Sequence, residues 1–129
     1  MKIEVSVGEL VDKITILEIK LEKIVDSEKL ANVQVEYSLL LENMKELNLS
    51  NRSDVFLELK KINLRIWETE DNIRRLEAEK RFDAKFIALA RNVYFDNDRR
   101  AALKKQINTR YKSRVVEEKQ YTNYGLNLK

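Results

Sequence analysis

Residues 67–108, WETEDNIRRLEAEKRFDAKFIALARNVYFDNDRRAALKKQIN, hold the only tryptophan and most of the arginines of the chain, and their reading decides the fold. Taken as one unbroken helix from Phe86, at about 100° per residue, Phe86, Ala90 and Val93 share a face suited to a core. Carried on in phase, that face reaches Asn97, Arg100, Lys104 and Asn108, amides and cations where a plain bundle would carry leucine. This register makes an internal polar site. The competing register breaks the helix at Asp96, Asn97 and Asp98, which are good N-cap residues, so that Leu103, Ile107 and Tyr111 form a fresh stripe and the cations turn to solvent. The capping chemistry slightly favours the break, or a kink near Asp96. It places Arg99 and Arg100 in a first helical turn, however, where the helix dipole repels cations. Both registers therefore call for a carboxylate or a bound anion nearby.

Working outward, 129 residues suit one domain, 1–129, with one core. The absence of proline, the two glycines and a charged fraction of 36% suit long amphipathic helices rather than sheets with tight turns. The expected fold is all-α, an antiparallel bundle of four main helices with a short extended N-terminus and an irregular C-terminal tail. No stretch approaches the roughly 18 apolar residues of a membrane span, and the opening MKIEVSVGEL lacks the apolar core of a signal peptide. A cytoplasmic protein with no membrane partner is expected. With neither Cys nor His, thiol nucleophiles, Cys/His zinc sites, Ser-His-Asp triads and Glu-x-x-His di-metal bundles are excluded. No metal and no cofactor are expected, and any chemistry rests on Asp, Glu, Lys, Arg and Tyr.

Charge is unevenly spread. Residues 1–50 carry six Lys, no Arg and ten acids, whereas Arg74 to Arg114 holds thirteen cations against five acids. The halves can neutralise one another in the fold or across a dimer, or the basic half can hold an anion.

In chain order, Lys2 to Val5 alternates like a short strand. Ser6-Val7-Gly8-Glu9 forms a capping box, with Val5 and Leu10 as a hydrophobic staple. The first helix is expected over 7–25, with Val7, Leu10, Val11, Ile14, Leu17, Leu21, Ile24 and Val25 on one stripe. Ile16 and Ile19 lie roughly opposite, as on a central helix or one that meets a partner chain. Glu18 falls within the main stripe and needs a cation if buried. Every arginine lies beyond position 51, so Arg74 or Arg100 is the expected partner. Asp26 and Ser27 read as turn and cap, and the second helix, 28–47, keeps three-and-four spacing at Leu30, Val33, Tyr37, Leu40, Met44 and Leu47, as in a coiled coil. After the polar loop 48–53, the third helix is expected over 54–81, with Asn63, Trp67, Glu70 and Arg74 along one flank. Phe82-Asp83 reads as staple and cap, with Ile87 as staple partner, for a fourth helix over 84–111. The tail, 113–129, loses helical phase and is either a strap across the bundle or a mobile end.

The strings Val7-Gly8-Glu9-Leu10-Val11-Asp12-Lys13-Ile14-Thr15-Ile16-Leu17-Glu18-Ile19-Lys20, Glu70-Asp71-Asn72-Ile73-Arg74, Phe82-Asp83-Ala84-Lys85-Phe86-Ile87 and Asn97-Asp98-Arg99-Arg100-Ala101 through Ile107-Asn108 resemble a family of small uncharacterised helical proteins of bacteria and their phages. The likeness covers most of the chain and implies the extent of the domain, not an activity. Phe82 to Ile87 before a long helix, with Leu10 to Leu17 in a first helix, is also similar to the all-helical chorismate mutases, which bind a dicarboxylate between helices through Arg and Lys. The chain departs from that pattern: Val11 stands where a first-helix Arg is expected, and the second-helix Arg and a late Gln fall near Trp67 and Ala102.

Three functions fit these residues. The first is a non-enzymatic interaction or oligomerisation module, homo-oligomeric or bound to a protein partner, with Ile16 and Ile19 at the interface. The second is a small-anion site for carboxylate or phosphate, in a binding protein or an enzyme, built from Glu18, Glu70, Arg74, Asn97, Arg100, Lys104 and Asn108; the same residues also suit a satisfied ion-pair network. Nucleic-acid binding by the basic half ranks last, since no recognisable module accompanies the charge.

Overall fold

A computed structural model describes residues 1–125. Its four helices are α1 (Val7–Lys23), α2 (Ser27–Glu46), α3 (Asp54–Ala78) and α4 (Ala84–Arg110). Among the described residues there is no strand, and Lys2 to Val5 carries no regular structure. The expected elements are all present, three of them starting where the sequence placed them. Capping side chains explain why: Ser6, Asp26, Ser53 and Asp83 each accept a hydrogen bond from the backbone N–H three residues on. At the other ends, Asn48, Lys80 and Lys112 take left-handed conformations (φ 56°, 56° and 51°) that close the last turns of α2, α3 and α4. Lys80 stops α3 before the expected 81.

α1 is the central helix. It packs on all three others, whereas α2 packs on α1 alone among the helices, and α3 and α4 form an antiparallel hairpin. Val11, Ile14, Met44, Phe56, Leu59 and Ile107 are fully buried where α1 meets the rest. At 1.5 Å per residue, 17-residue α1 is about 25 Å long and 27-residue α4 about 40 Å, so the hairpin outruns its cover. Between Trp67 and Phe95 only Leu76 is buried. The staple expected at the hairpin tip does not form. Phe82 and Ile87 are both more than half exposed, and the Phe82 ring meets Phe86 edge to face at 5.2 Å instead.

α4 runs unbroken through Asp96, Asn97 and Asp98, against the favoured break. Each side chain that would have capped a new helix is engaged elsewhere. The buried Asp96 carboxylate pairs with Arg65 of α3 and with Arg99, both at 3.1 Å. Asn97 Nδ2 donates to the Val93 carbonyl one turn back at 2.9 Å, and Asp98 accepts from the Tyr124 hydroxyl. With no new N-terminus at this point, Arg99 and Arg100 meet no unfavourable dipole.

The start of α1 is clamped by the end of α4. An α-helix leaves its first N–H groups without internal partners. Here Val7 N–H donates to Ser113 Oγ (3.0 Å), Gly8 N–H to Asn108 Oδ1 (2.6 Å) and Glu9 N–H to Ser6 Oγ (3.0 Å). Gly8 makes the approach possible: a Cβ there would lie 2.5 Å from the Lys104 carbonyl oxygen.

Candidate functional site: a cleft between α4 and the tail

The α1 clamp brings a polar layer into the bundle. Asp12 and Thr15 stand one turn apart on α1, and Asn63 faces them from α3. Asn63 Nδ2 donates to Asp12 Oδ1 and to Thr15 Oγ1, both at 2.8 Å, while the Thr15 hydroxyl donates to the Asp12 carbonyl at 2.7 Å. All three residues are buried. The amide oxygen of Asn63 is thereby left pointing to α4, where it accepts from Arg100 Nη1 at 3.3 Å. One turn on, Lys104 Nζ lies 2.8 Å from Glu9, 3.7 Å from Asp12 and 3.8 Å from Glu117. No buried side-chain polar atom among the described residues lacks a partner.

Outside this layer the tail lies against α4 and forms a cleft of about 640 Å³, lined by Tyr94, Asn97, Asp98, Arg100, Ala101 and Lys104 of α4 and by Lys119, Tyr121, Thr122 and Tyr124. A smaller adjoining space of about 320 Å³, which shares Lys104, Lys119 and Tyr121 with the cleft, is bordered also by Asn108, Glu117 and Glu118. The described part of the tail, exposed from 114 to 125, touches α4 at Lys105 and Asp98 and through the Tyr124 ring; residues 126–129 lie outside the described residues. Tyr124 anchors it, since its ring packs on Tyr94 and Phe95 and its hydroxyl donates to Asp98. Desolvation, and then the hydrogen bond to Asp98, push that hydroxyl up to about 12. Lys119 pairs with Glu117, whose carboxyl is held below its ordinary range first by that hydrogen bond and then by the Lys104 charge.

Arg100 differs from its neighbours. Lys104, Lys119, Lys105, Arg99 and Arg65 each have a carboxylate within 4 Å, and half-buried Arg100 has none among the described residues. Its single hydrogen-bond partner is the neutral amide of Asn63.

The seven candidate ligand residues separate into three places. Asn97, Arg100 and Lys104 line the cleft, and Asn108, one turn beyond Lys104, caps α1. Glu70 and Arg74 form an exposed i,i+4 pair at 3.4 Å on the projecting part of α3, away from the cleft. Glu18 lies on another side of α1, where it accepts from Tyr37 (2.9 Å), Asn51 (3.2 Å) and Lys60 (3.0 Å). The expected arginine partner for Glu18 is therefore replaced by Lys60. The reason is reach: Arg74 lies 14 residues beyond Lys60 on α3, about 21 Å along the axis, while Arg100 is turned to Asn63. Lys60 is also shared with Glu22 at 2.9 Å; burial works against its charge, and the hydrogen bonds to Glu22 and Glu18 more than offset this and raise its pKa. Ile19 is consumed in the core, and Ile16 is half-buried.

Sequence reasoning gave no site role to Asp12, Thr15 and the tail tyrosines, and read Asp96 only as a cap. Asn63 carried a signal, falling between Leu59 and Ile66 of the α3 stripe. The tyrosines carried none, because a tail without helical period gives no register. Among the described residues no group of His, Cys, Asp or Glu is placed to hold a metal ion. At the three positions that depart from the chorismate mutase pattern the cleft gains nothing: Val11 is core, and Trp67 and Ala102 are half-buried and outside its lining.

These features define an all-α protein of four helices with a polar cleft on its last helix. The chain belongs to DUF6165, a family of unknown function whose model matches residues 1–126. No curated protein and no solved structure matches it.

Proposed function

We propose that the chain is a binding module for a small anion, a carboxylate or a phosphate, held in the cleft by Arg100. The observation that carries this reading is the lone guanidinium: a half-buried arginine at a cleft, without a carboxylate among ion-paired neighbours, is a site waiting for negative charge. Its planar fork suits a bidentate oxyanion. Asn63 orients the guanidinium, and Lys104 and Lys119 line the walls with their charges already paired to Glu9 and Glu117. Asn97 stands one turn from Arg100, although its amide is engaged with Val93.

Much of the remaining basic half is already neutralised: Arg74, Lys80, Arg81, Arg99, Lys105, Arg110 and Arg114 are each matched by a carboxylate, one of them from the acidic half, Glu4 on Arg114. Arg75, Lys85, Arg91 and Lys112 have no carboxylate within 4 Å among the described residues, but none of them lines the cleft. Calorimetric titration with inorganic phosphate and with acetate tests the reading. Saturable binding of one of them should fall at least about tenfold in Arg100→Gln, on the scale of a charge-assisted hydrogen bond. The variant's thermal stability should stay level or rise, because an unmatched charge has been removed. Equal binding by both chains would overturn the reading.

A second reading, docking of a partner or of another copy of the chain, draws support from α2 rather than from Ile16 and Ile19. α2 rests on α1 alone and exposes Val35 (63%) and Leu39 (60%), one turn apart on its outer face. Light scattering that finds a monomer at millimolar concentration would remove self-association.

A further inference from the structure

A phosphate or carboxylate alone would leave most of the cleft empty. Its volume of about 640 Å³ is within the range of pockets that enclose whole small molecules, so an anionic head accounts for Arg100 but not for the space beside it.

The remaining lining has a definite chemistry. Tyr94 and Tyr124 meet edge to face with centroids 5.3 Å apart, and Phe95 braces both from 4.9 and 5.6 Å. Tyr124 is pinned through Asp98. Tyr121 lines the same cleft with 68% of its surface exposed, and no other ring lies against it among the described residues. An aromatic face left open beside fixed rings is a stacking platform, since rings pack on one another in offset or edge-to-face contact with centroids roughly 4.5–7 Å apart. Charge sets a second limit. Lys104 and Lys119 are already matched by Glu9 and Glu117, and Arg100 is the one cation of the lining with no carboxylate within 4 Å among the described residues. Its charge also reaches Glu117, and the Asp98 carboxylate lines the same cleft, so the site takes no more than one anionic group.

From these features we infer that the ligand is an aromatic monoacid: one carboxylate or phosphate seated on Arg100, joined to one planar ring that lies among Tyr94, Tyr121 and Tyr124. This rests on the anion reading above and extends it from the head group to the whole molecule. The tail then acts as one wall of the site, and Tyr121 and Tyr124 select the ring while Arg100 selects the charge.

Calorimetric titration of the full chain with two matched pairs separates the claims: phenyl phosphate against inorganic phosphate, and benzoate against acetate, with cyclohexyl phosphate as a non-planar control. In at least one pair the aromatic member should bind about tenfold more tightly, and phenyl phosphate should bind more tightly than cyclohexyl phosphate if that pair is the one bound. Tyr121→Leu changes an exposed residue of the tail and keeps the fold; it should remove the gain from the ring and leave binding of the simple anion intact. Tyr94→Leu is the second variant, on α4. Simple anions bound through Arg100 with no gain from a ring, a cyclohexyl ring as good as a phenyl one, or a gain that survives both tyrosine variants would each overturn the aromatic ligand while leaving the anion reading in place. Absence of binding in both pairs would overturn the anion reading itself.

Discussion

Gly8 shows how one residue sets both the packing and the site. Its missing side chain lets α1 approach the Lys104 carbonyl, and its N–H is held by Asn108 at 2.6 Å. In Gly8→Ala a Cβ would lie 2.5 Å from that backbone oxygen and 3.0 Å from Asn108 Oδ1, so α1 must shift. Helix propensity favours alanine by at most about 1 kcal/mol. Overpacking costs about 1–3 kcal/mol, with about 1 kcal/mol more for the strained hydrogen bond, so the clash wins. We expect a net loss of about 1–3 kcal/mol in chemical denaturation; an unchanged midpoint would show that the helices can separate freely. The sequence reading saw Gly8 only as part of a capping box. It read Ser6 correctly as the cap, because capping is local, and could not see that Asn108 and Ser113 finish the work from a hundred residues away.

At the scale of elements, the hardest question was whether α4 continues past Asp96, and local propensity pointed the wrong way. Asp-Asn-Asp is cap material in isolation. Its meaning changed because Arg65, on a different helix, reaches Asp96, and because the tail reaches Asp98. Asp96 also predicts how α3 and α4 are tied. Its carboxylate is 3% exposed, while the side chains of Arg65 and Arg99 are 54% and 42% exposed, so the arginines stay solvated whether or not the acid is present. Removing either arginine alone leaves one cation and should cost under about 1 kcal/mol. Arg65→Ala with Arg99→Ala leaves a buried carboxylate unpaired and should cost about 3–5 kcal/mol, more than the sum of the single changes. A double variant that is merely additive would mean that water already reaches Asp96. Helix existence was legible throughout, since three caps, one polar loop and the apolar stripes announced it. The split of the candidate residues was not, because Glu70 and Arg74 share a face of α3 with Asn63, and only the shortness of α1 leaves that end of the face bare.

For the whole molecule, the absence of histidine shapes the response to pH. Lys60, Tyr37 and Tyr124 have pKa values raised above 10.5, 10.0 and 10.0: Lys60 by its hydrogen bonds to Glu22 and Glu18 against burial, Tyr37 by burial and then Glu18, Tyr124 by desolvation and then Asp98. Each holds its proton more tightly folded than unfolded, so the stability it contributes is complete below about pH 10 and is lost as pH rises through the folded values. Asp83 and Glu117 are lowered, by the Phe86 N–H and by Lys119 respectively, and their contribution is lost as pH falls through the folded values below 3.8 and 4.5. The urea midpoint should therefore be flat between about pH 5 and 9 and decline on both sides, and a step near neutrality would contradict this. The cleft itself belongs to this largest scale, for it exists only where an irregular tail meets a regular helix. Sequence periodicity could nominate Asn97, Arg100 and Lys104, on the helix, and was silent on Tyr121 and Tyr124. The most direct measurement of the central claim is a 1H–15N NMR titration with inorganic phosphate that follows the Arg100 Nε–H. A saturable shift of that signal together with Asn97, Ala101 and Lys119, absent in Arg100→Gln, is expected, whereas shifts spread over the surface lysines with Arg100 unmoved would rule the anion site out.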